Sequence, residues 1–346
     1  MSEEIIETLR VQARACRALG SPFSADLLEL AAGDPPLALF APWQDADGRR
    51  LINEAVALRF LGALHDLVLS GEAPGLAAAY PGDGRPGDAT AAWVAAGEAF
   101  RAHGDQLARF MEHEPQTNEV RRAVCLLPGF LRVAARHGEP LRCFEIGASA
   151  GLNLNWDRFR YDLGGGSWGD PDAAVRLDTT WEGPLPPLGV RPGVVERAGC
   201  DRRPVDIGDP QERQRLLAYV WPDQFERLAR ARAAIATAEA HPVMLEAADA
   251  RDWVERRVRP ERGAATVLYH SVFWQYLSAP DQAALAETIA RVAAQATADA
   301  PFAWLRMEPG AEVSLGMTTT LTQWPGGETQ VLADVHPHGA FIRAQA

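Results

Sequence analysis

The chain has 346 residues, with 46 acidic against 34 Lys and Arg side chains and a formal net charge of −12. That length holds one large domain or two smaller ones with ample core, and the negative balance argues against a nucleic-acid backbone as principal partner, without excluding a local basic patch. The sequence contains no lysine, so a Schiff-base lysine and a phosphate-loop lysine are both excluded, and with them lysine-anchored pyridoxal enzymes and ordinary P-loop NTPases.

The first ten residues, MSEEIIETLR, are acidic and lack the basic and apolar regions of a signal peptide. No uninterrupted apolar run approaches membrane-spanning length. Cys16, Cys125, Cys143 and Cys200 are scattered, with no Cys-x-x-Cys pair. The expectation is a cytoplasmic protein with reduced thiols and no membrane partner.

Residues 1–138 read as a helical cap region. Ile5, Ile6, Leu9 and Ala13 recur at helical spacing until Gly20-Ser-Pro22, and Ser24–Leu30 starts a second helix closed by Gly33-Asp-Pro-Pro36. Asn53–Ser70 is a longer helix with Val56, Phe60, Leu64 and Leu67 in a stripe. Tyr80–Asp88 is a loop by composition, and Trp93–Met111 is helical again. Asn118 is placed to cap the next helix, where Val120, Val124, Leu127 and Leu131 form a stripe and Pro128 introduces a kink.

From residue 139 to the end the texture is that of a doubly wound α/β sheet, strands alternating with helices. Strand one is Leu141–Ile146; a helical pattern follows, with Leu152, Trp156 and Phe159 on one face. Residues 163–192, rich in Gly, Pro and Trp, read as an insertion with a hairpin around Val175–Trp181. Strand two is Val194–Cys200, and helices cover Pro210–Tyr219 and Phe225–Ala240. Strand three is Val243–Ala247, strand four Thr266–His270 and strand five Phe302–Met307, with helices around Trp253 and over Asp281–Ala294. Thr318–Trp324 and Thr329–Val335 close the chain as a β-hairpin.

The chemistry concentrates after strand one. That strand ends on an acid, Glu145, and passes into a turn of small residues, Gly147-Ala-Ser-Ala-Gly151. Such a turn lets a ligand approach the backbone at the carboxyl edge of a sheet. A dinucleotide site wants Gly-x-Gly-x-x-Gly and rests a pyrophosphate on a helix N-terminus. Here the glycines are spaced Gly-x-x-x-Gly, and a carboxylate just ahead of them suits an ammonium or sulfonium group instead. The stretch resembles the first motif of class I S-adenosylmethionine-dependent methyltransferases. That resemblance implies a Rossmann-like sheet with a C-terminal β-hairpin, and S-adenosylmethionine as cofactor, held by Glu145, Gly147, Ser149, Gly151 and Asn153. It further implies that Asp201 meets the ribose hydroxyls, that Asp249 with Ala250 meets the adenine, and that Tyr269–Tyr276, His270 among them, lies beside the reacting methyl. The separation of Glu145 from Asp201 is long for that family, so Asp178 stands as the alternative strand-two acid.

Over nearly its whole length the chain also resembles a bacterial family known as domain of unknown function 2332. The residues carrying this are Gln116–Glu119, Glu145–Asn153, Trp156–Arg158, Val220–Gln224, His270-Ser271 with Trp274–Tyr276, and Arg306–Pro309. The resemblance implies a fold and leaves the substrate open.

His336-Pro-His338 brings two imidazoles together without a third ligand in view, so no metal is expected. Gln116 and Asn118 either cap a helix or reach over cofactor and substrate, and Trp156 and Trp274 either pack or line an aromatic pocket. His270, Tyr276 and Glu308 are the candidates for catalysis. His270 is the first choice as general base, against a packing role for a histidine at a strand end. The helical region would then close over this edge and exclude water. The expected function is methyl transfer to a small molecule; the alternative is an adenosyl-ligand or nucleotide-binding sensor or partner protein without catalysis.

Overall fold

The computed structural model describes residues 2–82, 84–138, 140–310 and 316–345. They form two compact units: Met1–Thr117 with Ile207–Arg232, and Asn118–Asp206 with Ala233–Ala346. Among the described residues no helix is long and apolar enough to cross a membrane.

The first unit is helical: α1 (Ser2–Ala18), α2 (Pro22–Gly33), α3 (Gly48–Asn53), α4 (Val56–Ser70), α5 (Pro74–Ala79), α6 (Ala89–Ala102) and α7 (Gly104–Met111). The apolar stripes meet in one core containing Leu9, Leu28, Phe60 and Leu64. The expected helix over Asn53–Ser70 starts only at Val56, because Ala55 adopts a left-handed conformation (φ 52°) that ends α3. Likewise Trp93–Met111 is two helices, parted at the non-helical His103 before Gly104, a poor helix former. Residues 80–88 are a loop, Asp83 lying outside the described residues. The start of α2 is capped from far along the chain: Asp223 accepts the Phe23 N–H at 2.9 Å and the Ser21 hydroxyl. Part of the Val220–Gln224 segment is therefore a helix cap.

The second unit contains α8 (Ala123–His137), β1 (Leu141–Ile146), β2 (Arg160–Asp162), β3 (Ser167–Trp168), β4 (Arg176–Asp178), β5 (Thr180–Glu182) and β6 (Val194–Asp201). The chain then passes through α9 (Pro210–Ala218) and the start of α10 (Phe225–Ala240), which belong to the first unit. It returns for β7 (Met244–Ala247), α11 (Ala250–Arg257), β8 (Ala265–Ser271), α12 (Ala279–Ala293), β9 (Phe302–Pro309), β10 (Met317–Trp324), β11 (Glu328–Val335) and β12 (Phe341–Ala344). One nine-stranded sheet has the order β5-β12-β11-β10-β9-β8-β1-β6-β7, and β3-β2-β4 form a small second sheet. From β7 to β9 the pairing is parallel; β9 to β12 is antiparallel. The fold is thus a mixed α/β architecture on a large, mostly parallel sheet. Phe144, Ile146 and Leu268 of the sheet pack with Trp253, Leu285 and Ile289 of α11 and α12, and Phe130 of α8 meets Tyr269 on the other face.

Three expectations need correction. The segment after Gly151 is a 3-10 helix, Leu152–Arg158, with Asn155 non-helical (φ −97°, ψ 20°). The side chains of Asn153, Asn155 and Asp157 bond away from the segment, to Glu119 O, His241 O and Arg197. The hairpin around Val175–Trp181 does not form: β4 pairs with β2 and β5 with β12. Only Thr179 separates them, too little chain to reverse direction, so the extended backbone crosses from one sheet to the other. Asn118 (φ 38°) does not cap its own helix; Glu119 does, its side chain accepting the Arg121 N–H.

Candidate functional site

Because β7, β6, β1, β8 and β9 run parallel, their carboxyl ends line one edge of the sheet. The turn after β1 occupies the middle of that edge and is fastened to its neighbours. Gly147, Ser149 and Gly151 all have positive φ (66°, 53° and 69°). Ala148 N–H donates to Cys200 O at 3.0 Å, Val205 N–H donates to Ser149 O at 3.1 Å, and Ser149 N–H donates to Asp201 Oδ2 at 2.9 Å. Gly199 admits this close approach: a Cβ there would lie 2.9 Å from the Ala148 Cβ.

At Gly147 a Cβ would lie 2.9 Å from Cγ of Phe273. The group that comes close to this glycine is therefore a side chain of the protein itself, from the loop after β8. That loop is strained, since Val272 has φ 53°, unusual for a β-branched residue.

Glu145 is fully buried. The Tyr269 hydroxyl donates to its Oε2 at 3.4 Å and lies equally far from Asn153 O. Among the described residues no cation pairs with it. Burial pushes its carboxyl well above the ordinary glutamate range; the Tyr269 hydroxyl opposes this and the negative field of Asp201 adds to it.

Asp201 ends β6, the strand beside β1. Its two oxygens accept the Ser149 and Arg203 N–H groups, each at 2.9 Å. Asp178 is elsewhere: it ends β4 in the small sheet, exposed, and pairs with Arg121 at 2.9 Å. Asp249 follows β7 and caps α11 by accepting the Arg251 N–H at 2.9 Å. Burial acts to raise its pKa, but the 2.9 Å bond from Arg202 and the backbone N–H groups hold it below the usual aspartate range. The neighbouring Ala250 is buried.

Asn118 Oδ1 accepts the Leu152 N–H at 2.9 Å, so it caps the 3-10 segment after the turn. Asn153 donates to Glu119 O at 3.3 Å while its own Oδ1 is buried without a partner. The segment Asn118-Glu119 is thus locked to Leu152-Asn153, whereas Gln116 belongs to the first unit. Trp156 has no exposed surface and stacks between Phe130, at 4.1 Å, and Trp168, at 5.6 Å; it is core.

His270 and Glu308 come together; Tyr276 does not join them. His270 Nδ1 lies 2.6 Å from Glu308 Oε1, and its Nε2 accepts the Trp304 indole N–H at 3.1 Å. An indole only donates, so Nε2 is an acceptor and Nδ1 carries the hydrogen toward Glu308: the ring is a neutral imidazole with both nitrogens engaged. The ring also stacks on Trp274 at 5.5 Å. Glu308 Oε1 accepts the Phe273 N–H as well, at 2.9 Å, tethering the loop that covers Gly147. Tyr276 is 74% exposed, at the end of a 3-10 turn over Trp274–Tyr276.

Sequence reading gave no individual role to Tyr269, Phe273 or Arg202 and passed over Trp304. The in-register pairing Glu145↔Tyr269 brings the first into place, and no local pattern announces such a partner. Phe273 carried a signal, as a large aromatic directly after a strand end. His336 Nδ1 accepts the His338 N–H at 3.0 Å, and among the described residues no group of three or more metal-ligating side chains forms.

Comparison with known proteins bears out the resemblance that spans nearly the whole chain. No curated protein and no solved structure matches the chain. A family profile described as an uncharacterized protein conserved in bacteria (DUF2332) matches residues 6–343, and the chain belongs to that family.

Proposed function

We propose that this protein is an S-adenosylmethionine-dependent methyltransferase acting on a small molecule, on a Rossmann-like sheet of the class I type. The observation that carries the reading is the edge itself. Counted by their order in the chain, the parallel strands stand 3-2-1-4-5 from β7 to β9. Acids stand at or just past the ends of the first three, and the turn beside them holds strained backbone. Of the four non-glycine residues with positive φ among those described, Asn118, Ser149 and Val272 are at or bonded to this edge. Strain retained at one place in a fold points to function there.

The chain's own groups fit the cofactor in charge. In this reading Glu145, buried with no cation pairing it among the described residues, ionises as an ammonium group arrives beside it, and Asp201 serves the ribose hydroxyls. S-adenosylmethionine, when bound, supplies an activated methyl. The protein's part is then to orient the acceptor and exclude water. In this reading His270 acts by position: held between Glu308 and Trp304, it fixes the Phe273 loop over the turn. The engagement of both its ring nitrogens also favours a second reading, an adenosyl-ligand or nucleotide-binding protein without catalysis.

Calorimetric titration with S-adenosylmethionine, S-adenosylhomocysteine and NAD separates the cofactor classes. Heat from the first two and none from NAD is expected. Tight NAD binding, or no response to either adenosyl compound, would overturn the proposal. Methyl transfer to an acceptor then distinguishes enzyme from sensor.

A further inference from the structure

Arg306 and Glu308 stand two residues apart on one face of β9, and each has hydrogen-bonding capacity that nothing among the described residues fills. Arg306 is half-buried, and burial pushes its guanidinium below the ordinary arginine value, with Glu308 opposing. Its Nη2 is 3.4 Å from the Thr322 hydroxyl, and its Nε is buried with no acceptor. It forms no ion pair among the described residues, although the chain carries twelve more formal negative charges than positive. Other buried arginines are provided for: Arg142 pairs with Glu196 and Glu261, Arg197 with Asp157, and Arg59 donates to three backbone carbonyls. What Arg306 has is the face of Trp304, 4.1 Å below it. A cation–π contact alone does not offset the desolvation of a guanidinium charge.

Glu308 has the opposite deficit. Its Oε1 is taken by His270 and the Phe273 N–H, while Oε2 is buried with no donor. Alternate residues of a strand share a face and are spaced about 6.8 Å apart along it. The two side chains are thus neighbours that do not bond each other: one lacks an anion, the other lacks a donor. The rung His270–Arg306–Thr320–Val331 crosses β8 to β11, and Val331 at its end is 43% exposed.

We propose that this is a binding site for the head group of an α-amino acid, with the carboxylate on Arg306 and the ammonium on Glu308. A guanidinium fork matches a carboxylate in two parallel hydrogen bonds, and the free carboxylate oxygen accepts from the ammonium. The Trp304 and Trp274 rings, 5.5 Å apart, form the adjoining wall. The assignment stands on these two side chains and not on the methyl-transfer reading. If both hold and S-adenosylmethionine leaves the amino acid in place, the amino acid is the methyl acceptor.

The test screens the twenty free L-amino acids against the intact chain by thermal shift and titrates those that bind by calorimetry. Propionate and ethylamine, each carrying one of the two groups, serve as controls. At least one amino acid should bind, with affinity at least tenfold lower in Arg306→Gln and in Glu308→Gln. Absence of any binding, propionate binding as well as the amino acid, or unchanged affinity in both variants would overturn the site. Should Arg306→Gln fail to fold, Arg306→Lys decides: replacing the fork by a point charge should weaken binding at least threefold, and unchanged affinity counts against the proposal. Repeating the titration with saturating S-adenosylmethionine distinguishes a free amino acid from the cofactor's own amino-acid end. Undiminished binding marks an acceptor site. Displacement assigns Arg306 and Glu308 to the cofactor and withdraws that role from Glu145.

Discussion

Replacing Gly147 by alanine probes the turn and its cover together. The residue has φ 66°, and a Cβ would lie 2.9 Å from Phe273 Cγ. Left-handed backbone costs an L-residue about 1–2 kcal/mol, of which about 0.4–1 kcal/mol returns through the stiffer unfolded chain. Forcing a methyl against a packed ring adds about 1–3 kcal/mol. The expected loss is therefore about 2–4 kcal/mol, or roughly 5–15 °C in Tm for a unit of this size. The two contributions separate in a double-mutant cycle with Phe273→Ala. Once the ring is removed, the steric part vanishes, and Gly147→Ala should cost only about 1 kcal/mol. The assay is urea unfolding of the four proteins followed by far-UV circular dichroism and tryptophan fluorescence. Equal losses in both backgrounds would refute the contact between Phe273 and the turn. A neutral Gly147→Ala would refute the backbone conformation as well.

Two further outcomes test the acids. Asp201→Ala deprives the Ser149 and Arg203 N–H groups of their acceptor and should destabilise by about 1–3 kcal/mol, whereas Asp178→Ala, which breaks only an exposed pair, should change stability by less than about 1 kcal/mol; the reverse ranking in urea midpoints would show that the wrong acid closes the turn. For Glu145, burial raises the folded-state pKa, so without ligand the folded chain holds this proton more tightly than the unfolded chain. Its contribution to stability is fully present below the unfolded-state value. It falls as pH rises from there toward the folded-state value, at up to about 1.4 kcal/mol per pH unit. Glu145→Gln removes that slope, so the variant should gain on the parent with rising pH, and parallel stability–pH curves would refute the burial argument.

The strands were largely legible because their apolar runs are short and bounded by Gly, Pro or Asp, and those of β1, β8 and β9 are mostly buried on both faces. Leu141–Ile146 is β1 to the residue, and the helix over Phe225–Ala240 is α10 to the residue. What stayed hidden depends on partners distant in the chain. Nothing near Thr179 says that the chain changes sheets there, and β12 is only four residues long. At the edge, residue types and strand ends were readable, including Glu145 and the small-residue turn. The pairing of Glu145 with Tyr269, the ring of Phe273 on Gly147 and the Trp304 bond to His270 are matters of register and side-chain direction. Asn118 shows the same limit: its type announced a cap, and only the fold shows that the cap belongs to the segment after Gly151.

The route of the chain has a consequence for how the protein is made. The helical unit begins at the N-terminus, but α9 and the first part of α10 complete it, along with the acid that caps α2. A ribosome must therefore deliver residues 118–206, β1 and β6 among them, before the first unit can close its core. Nascent helices with their apolar stripes uncovered wait through that interval, in the reach of chaperones. An expressed fragment that stops at Thr117 ends short of its own fold, and a cut between the units that respects both would have to sever the chain three times.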